Sequence, residues 1–166
     1  GLVQQTMLHC TYVLLCCARL GADESKSVVD NGGVICLVVA ASIKGASSRL
    51  LEMSVMAQGI LAQHPGCTGA MRDANVVPIM AALTSQQLRR FRTLRRRPTG
   101  GPDRRASDLQ IERVLGMSLR VAVAGAACLM LTAADADQAA RNIDMELLGH
   151  MTSALKSYVH KDGLLG

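Results

Sequence analysis

The residues able to do chemistry in this chain are scattered rather than grouped. Glu24, Glu52, Glu112 and Glu146 fall in different segments, with no spacing that would pair two carboxylates for acid–base work. His9 adjoins Cys10, but neighbouring residues on a helix point in different directions, so the two do not form a nucleophile and its base. His64 precedes Pro65 at what reads as a helix end, a loop or cap position. The G-x-S-x-G, G-x-x-x-x-G-K-S/T, G-x-G-x-x-G and H-E-x-x-H patterns are missing. The chain reads as non-catalytic and implies no cofactor.

The six cysteines, Cys10, Cys16, Cys17, Cys36, Cys67 and Cys128, include a vicinal pair but no C-x-x-C. A zinc site needs ligands at short paired spacings, and His9, His64, His150 and His160 supply none. Most of the cysteines sit in apolar helical patterns, where a free thiol behaves as a small hydrophobe. Reduced cysteines point to a reducing compartment, the cytoplasm first, with a nuclear or cytoskeletal setting as alternatives.

Charge is concentrated. The net charge is +5, yet residues 89–105 alone hold eight Arg and one Asp, leaving the remainder slightly acidic. The arginines are Arg89, Arg90, Arg92, Arg95, Arg96, Arg97, Arg104 and Arg105. With Pro98, Gly100, Gly101 and Pro102 among them, residues 86–110 read as a disordered loop. Three readings of this loop stay open. It is a solvated surface loop, or it attracts an acidic protein or nucleic acid, or it is a phosphorylation site. Arg104-Arg105-Ala106-Ser107 matches a basophilic kinase site, and Thr99 after Arg95-Arg96-Arg97-Pro98 is a weaker match. Phe91 is the one aromatic in this stretch, so sequence-specific readout of nucleic acid is not expected.

The elements that would carry these residues are helical. Hydrophobic residues make up 49% of the chain and aromatics 2%, so the core must be Leu, Val, Ile, Met, Ala and Cys. Such a composition suits closely packed helices rather than a β-sandwich. Spacing predicts helices over 4–19, 22–28, 34–42, 49–63 and 77–83, with Gly21 as a left-handed cap and Ser47 or Ser48 as an N-cap. The 34–42 helix is apolar nearly all round and is expected to be buried. The longest charge-free apolar run, Val121 to Ala134, has 14 residues. That is short of the ~20 a bilayer needs, so no membrane span is expected.

The chain also repeats. At an offset of 43, Asp30 falls on Asp73, Val34 on Val77, Cys36 on Ile79 and Leu37 on Met80. The same offset places Met7, Cys10 and Val13 on Leu50, Met53 and Met56. A fixed period in the forties belongs to stacked helical solenoids.

In VVDNGGVICLVVAAS, SSRLLEMSVMAQGILAQHP and GAMRDANVVPIMAAL the sequence resembles the armadillo repeat family. The resemblance implies units of two short helices and a long third helix, stacked into a right-handed all-α solenoid whose third helices line a groove. It divides the chain into 1–27 (a partial repeat), 28–66, 67–139 (interrupted by the 86–110 loop) and 140–166 (a second partial repeat). The implied partner is a protein or peptide. In peptide-binding members of that family a Trp and an Asn four residues apart on each third helix hold the ligand. The matching positions here are Tyr12, Val55 and Ala124 for Trp, and Cys16, Gly59 and Cys128 for Asn, so that ladder is absent. His9, Arg19, Glu52, Gln58 and Gln63 stand at the lip. Gly59, Cys16 and Cys128 suit either a groove floor or tight packing between third helices. Gly1 in place of an initiator Met, and ends that fall inside repeats, predict a piece of a longer protein.

Overall fold

In the computed structural model, residues 2–95, 104–143, 148–149, 151–153 and 156 are described. Their helices, in chain order, are α1 (Leu2–Leu20), α2 (Ala22–Asp30), α3 (Gly33–Ser42), α4 (Ser48–Leu61), α5 (Pro65–Asp73), α6 (Val76–Arg95), α7 (Arg104–Leu131) and α8 (Ala136–Asn142). No strand occurs among the described residues, and the fold is all-α.

Local chemistry explains most of the boundaries. Ser47 caps α4, its Oγ accepting from the Leu50 N–H at 3.2 Å. Pro65 opens α5, where its missing N–H leaves nothing unpaired. Asp135 caps α8 by accepting from the Gln138 N–H at 2.7 Å. The Gln138 side chain in turn accepts from the Ala134 N–H at 2.7 Å, much as in a capping box. Gly21 differs from expectation. Its backbone is extended, not left-handed, because α2 begins at the next residue and Gly21 serves as its N-cap. The turns from α2 to α3 and from α5 to α6 are alike. Gly32 has φ 76° and Asn75, 43 positions later, has φ 60°. Both are left-handed, a conformation only glycine and a few residues such as asparagine adopt readily.

Packing brings like against like. α3 lies on α4 and α6 on α7; α1 packs on α4 and α4 on α7; α2 meets α5 and α3 meets α6. The core runs through all of these and is aliphatic, with Leu37, Leu50, Leu61, Met71, Met80 and Leu129 sealed from solvent. Leu37 and Met80, one period apart, occupy matching core positions in α3 and α6. Arg72 of α5 donates from Nη1 to the Thr132 carbonyl at 3.0 Å, tying α5 to the C-terminal end of α7.

Two expectations are overturned. The α3 helix is not buried all round: Ile35 is 61% and Val39 49% exposed, because the helices it touches leave that face of α3 uncovered. The Arg-rich segment is not a loop over most of its length. α6 continues through Arg95 and α7 begins at Arg104. Leu88 and Phe91 recur at helical spacing and are buried, as is Met117 on α7. Burying that stripe between two helices outweighs the repulsion among arginines, which are themselves good helix formers.

Gln110–Leu131 of α7 is, by length and composition, long and apolar enough to cross a membrane, which the charge-free run from Val121 understated. The core helix of a soluble protein meets the same criteria, and α7 packs against α4 and α6 here.

Candidate partner-binding face

α1, α4 and α7 pack in sequence, and the surface they share is where the groove residues were expected. On α1, His9, Tyr12 and Arg19 are exposed and Cys16 is half-buried. On α4, Glu52 is half-buried, and Gln63 is exposed just past the helix end. Ala124 on α7 is half-buried.

Val55, Gln58, Gly59 and Cys128 must be corrected. All four are buried and unavailable to a partner. A Cβ at Gly59 would stand 3.2 Å from the Ala124 carbonyl oxygen, so this glycine exists to let α4 and α7 approach. Of the two uses weighed for Gly59, Cys16 and Cys128, the burial of Gly59 and Cys128 fits tight packing, while Cys16 is half-buried. At these positions the repeat alignment points to the buried edge of α4 and α7.

The residues that do face out lie beside the expected ones. Met56 and Ile60 of α4 are half-exposed, Val123 and Met130 of α7 are exposed, and so is Val13 of α1. On α7, Arg113, Gly116, Arg120, Val123, Ala127 and Met130 follow one another at alternating steps of three and four, a single helix edge. That spacing was legible in the sequence. Arg120 Nε donates to Glu52 Oε1, an ion pair that fastens α4 to α7 across this surface. A lip residue expected to await a partner is therefore already engaged within the chain.

The cysteines are free thiols. Cys67 and Cys128 are buried, while Cys10 and Cys36 are exposed, so the expected apolar burial holds for only part of the set. Burial pushes the Cys128 thiol up to about 12. Burial also raises Cys67, against the opposing pull of Lys26. Neither is a thiolate nucleophile near neutral pH. Among the described residues no group of three His, Cys, Asp or Glu could hold a metal ion.

Of the basic segment, Arg89 and Arg90 are exposed on α6. Arg92 is engaged within the chain, and Arg95 ends α6. Arg104, Arg105 and Ser107 belong to the first turn of α7, so modification of Ser107 would fall on a helix start and not in a loop. Arg96, Arg97 and Thr99 lie outside the described residues.

No family model, curated protein or solved structure matches the chain.

Proposed function

We propose that the chain is part of a helical-repeat scaffold of armadillo type, a non-catalytic protein whose α1–α4–α7 face receives a segment of a partner protein. The observation that carries this reading is the pairing of equivalent helices: α1 with α4, α4 with α7, α2 with α5, α3 with α6. The left-handed turns at Gly32 and Asn75, one period apart, support it further. A unit of this kind cannot bury its apolar side alone, so copies stack and leave one broad surface of parallel helices free. That surface mixes apolar groups (Val13, Met56, Val123) with charged ones (Glu52, Arg120). It is suited to a partner segment that is itself amphipathic.

The test is a selection of peptide ligands against the whole chain, followed by hydrogen-exchange mapping of the best binders. Protection should centre on His9, Val13, Arg120 and Val123, and Val13→Asp with Val123→Asp should abolish it. Binders that protect other surfaces, or that tolerate both substitutions, would remove the groove from the reading.

One observation favours a second reading, a structural subunit within a larger assembly. Tyr12 is 54% exposed, whereas Val55, one period later, is fully buried. Leu2, Val3, Val13 and Leu20 are open on the same helix. α1 thus lacks the neighbour on this side that α4 has. Light scattering across a range of concentrations decides between the two: self-association abolished by Tyr12→Lys favours the subunit, and a monomer at every concentration favours the scaffold.

A further inference from the structure

The arginines of this chain are carried on a two-helix arm. α6 has 20 residues against 10 in its counterpart α3, and α7 has 28 against 14 in its counterpart α4. The surplus falls at the C-terminal end of α6 and the N-terminal end of α7, the ends that residues 96–103 join. At about 1.5 Å per residue the arm reaches roughly 15–20 Å beyond the shorter pair. Leu88 and Phe91 of α6 are buried along it and Ile111, Val114 and Leu115 of α7 are half-buried, so it is a packed element and not two loose ends.

Its described helical residues, 86–95 and 104–116, hold seven Arg, no Lys, and only Asp108 and Glu112 as acids. That net charge equals the +5 of the entire chain, so everything outside these residues balances. Arg89, Arg90 and Arg113 are exposed on it. Guanidinium groups, unlike ammonium groups, meet phosphate oxygens through two parallel N–H bonds. Phe91, the arm's one aromatic, is only 7% exposed, so no ring is offered for stacking on unpaired bases. A packed helical surface whose cations are all Arg and whose ring is covered is matched best by the densest regular array of anions, a duplex with one charge per ~1.7 Å.

We propose that the α6–α7 arm binds the phosphate backbone of double-stranded nucleic acid without reading its sequence. The proposal rests on the arm alone and stands or falls independently of the scaffold reading.

The test is fluorescence anisotropy of the whole chain against a labelled DNA duplex of about 20 base pairs, between about 50 and 200 mM salt. An acidic peptide, a single strand and phosphatidylserine vesicles serve as rival probes. The duplex should bind most tightly, and two unrelated sequences should bind alike. The log affinity should fall against log salt with a slope of about 3 or more, close to 0.9 per phosphate contacted. Joint replacement of Arg89, Arg90 and Arg113 by Glu should weaken binding at least ~10-fold and lower the slope by about 3, with an unchanged circular-dichroism spectrum. Should that variant misfold, Arg89→Gln with Arg90→Gln should lower the slope by about 2. A salt-independent affinity, tighter binding of the peptide or vesicles, or an unchanged affinity in the folded variant would each overturn the proposal.

Discussion

Thr84 of α6 and Gly125 of α7 pack so closely that a Cβ at position 125 would overlap the Thr84 hydroxyl. Thr84 Oγ1 is buried and has no hydrogen-bond partner among the described residues. Gly125→Ala should therefore destabilise by about 1–3 kcal/mol through overpacking. In a Thr84→Ala background the clash is gone, and Gly125→Ala should stabilise by up to about 1 kcal/mol through helix propensity. Urea denaturation of the four proteins measures the reversal. An equal loss in both backgrounds would show that the hydroxyl is not the obstacle.

Gly32 and Asn75 make a second paired prediction. No atom lies within 4 Å of the Cβ that Gly32 lacks, so the cost of Gly32→Ala is purely backbone strain at φ 76°. A loss of about 1–2 kcal/mol is expected. Asn75→Gly relieves the same strain and should change stability by less than about 0.5 kcal/mol, its gain offset by a more flexible unfolded chain. Thermal melts that rank these two the other way would contradict the backbone account.

The Glu52–Arg120 ion pair joins α4 to α7 with 57% of the Arg side chain and 19% of the Glu side chain still in solvent. Pairs this exposed are weak, and a double-mutant cycle should return about 0.2–1 kcal/mol. The coupling should shrink in high salt. Exchanging the charges, Glu52→Arg with Arg120→Glu, should recover most of it. A coupling that salt does not touch would point to packing and not charge.

Cys128 supplies the pH dependence. Burial holds its thiol at about 12 in the folded chain, against about 8.5 for a free cysteine. Below the unfolded value both states are protonated and the group favours neither. Above it the unfolded thiol ionises first, so stability should fall as pH rises from about 8.5 toward 12. Cys128→Ala should flatten that part of the profile, whatever it costs in packing. A thiol reagent at pH 8 should modify Cys10 and Cys36 quickly and Cys128 only on unfolding. Rapid labelling of Cys128 in the folded chain would refute its burial.

Most of the helices up to Leu83, the Ser47 cap and the 43-residue spacing were readable from residue order. Each depends on contacts within a turn or on a short apolar rhythm. Gly21 and Pro65, by contrast, proved to open helices instead of closing them. The Arg segment was misread because composition was weighed above spacing: Leu88 and Phe91 already marked a buried stripe, and that stripe decided for helix. The exposed edge of α4 and α7 was missed for a different reason. An alignment of repeats says which helices correspond, but a turn of one position about a helix axis moves every side chain by about 100°.

What the amino-acid order determined by itself was therefore local: helix type, caps, left-handed turns and which side chains had to be hidden. Which neighbour hides them was decided only in three dimensions, by the approach of Gly59 to Ala124 and of Gly125 to Thr84. Those contacts join residues 65 and 41 positions apart. Side-chain volume at a crossing point, which no local pattern encodes, sets how near two helices come and so which edge of each is left to solvent.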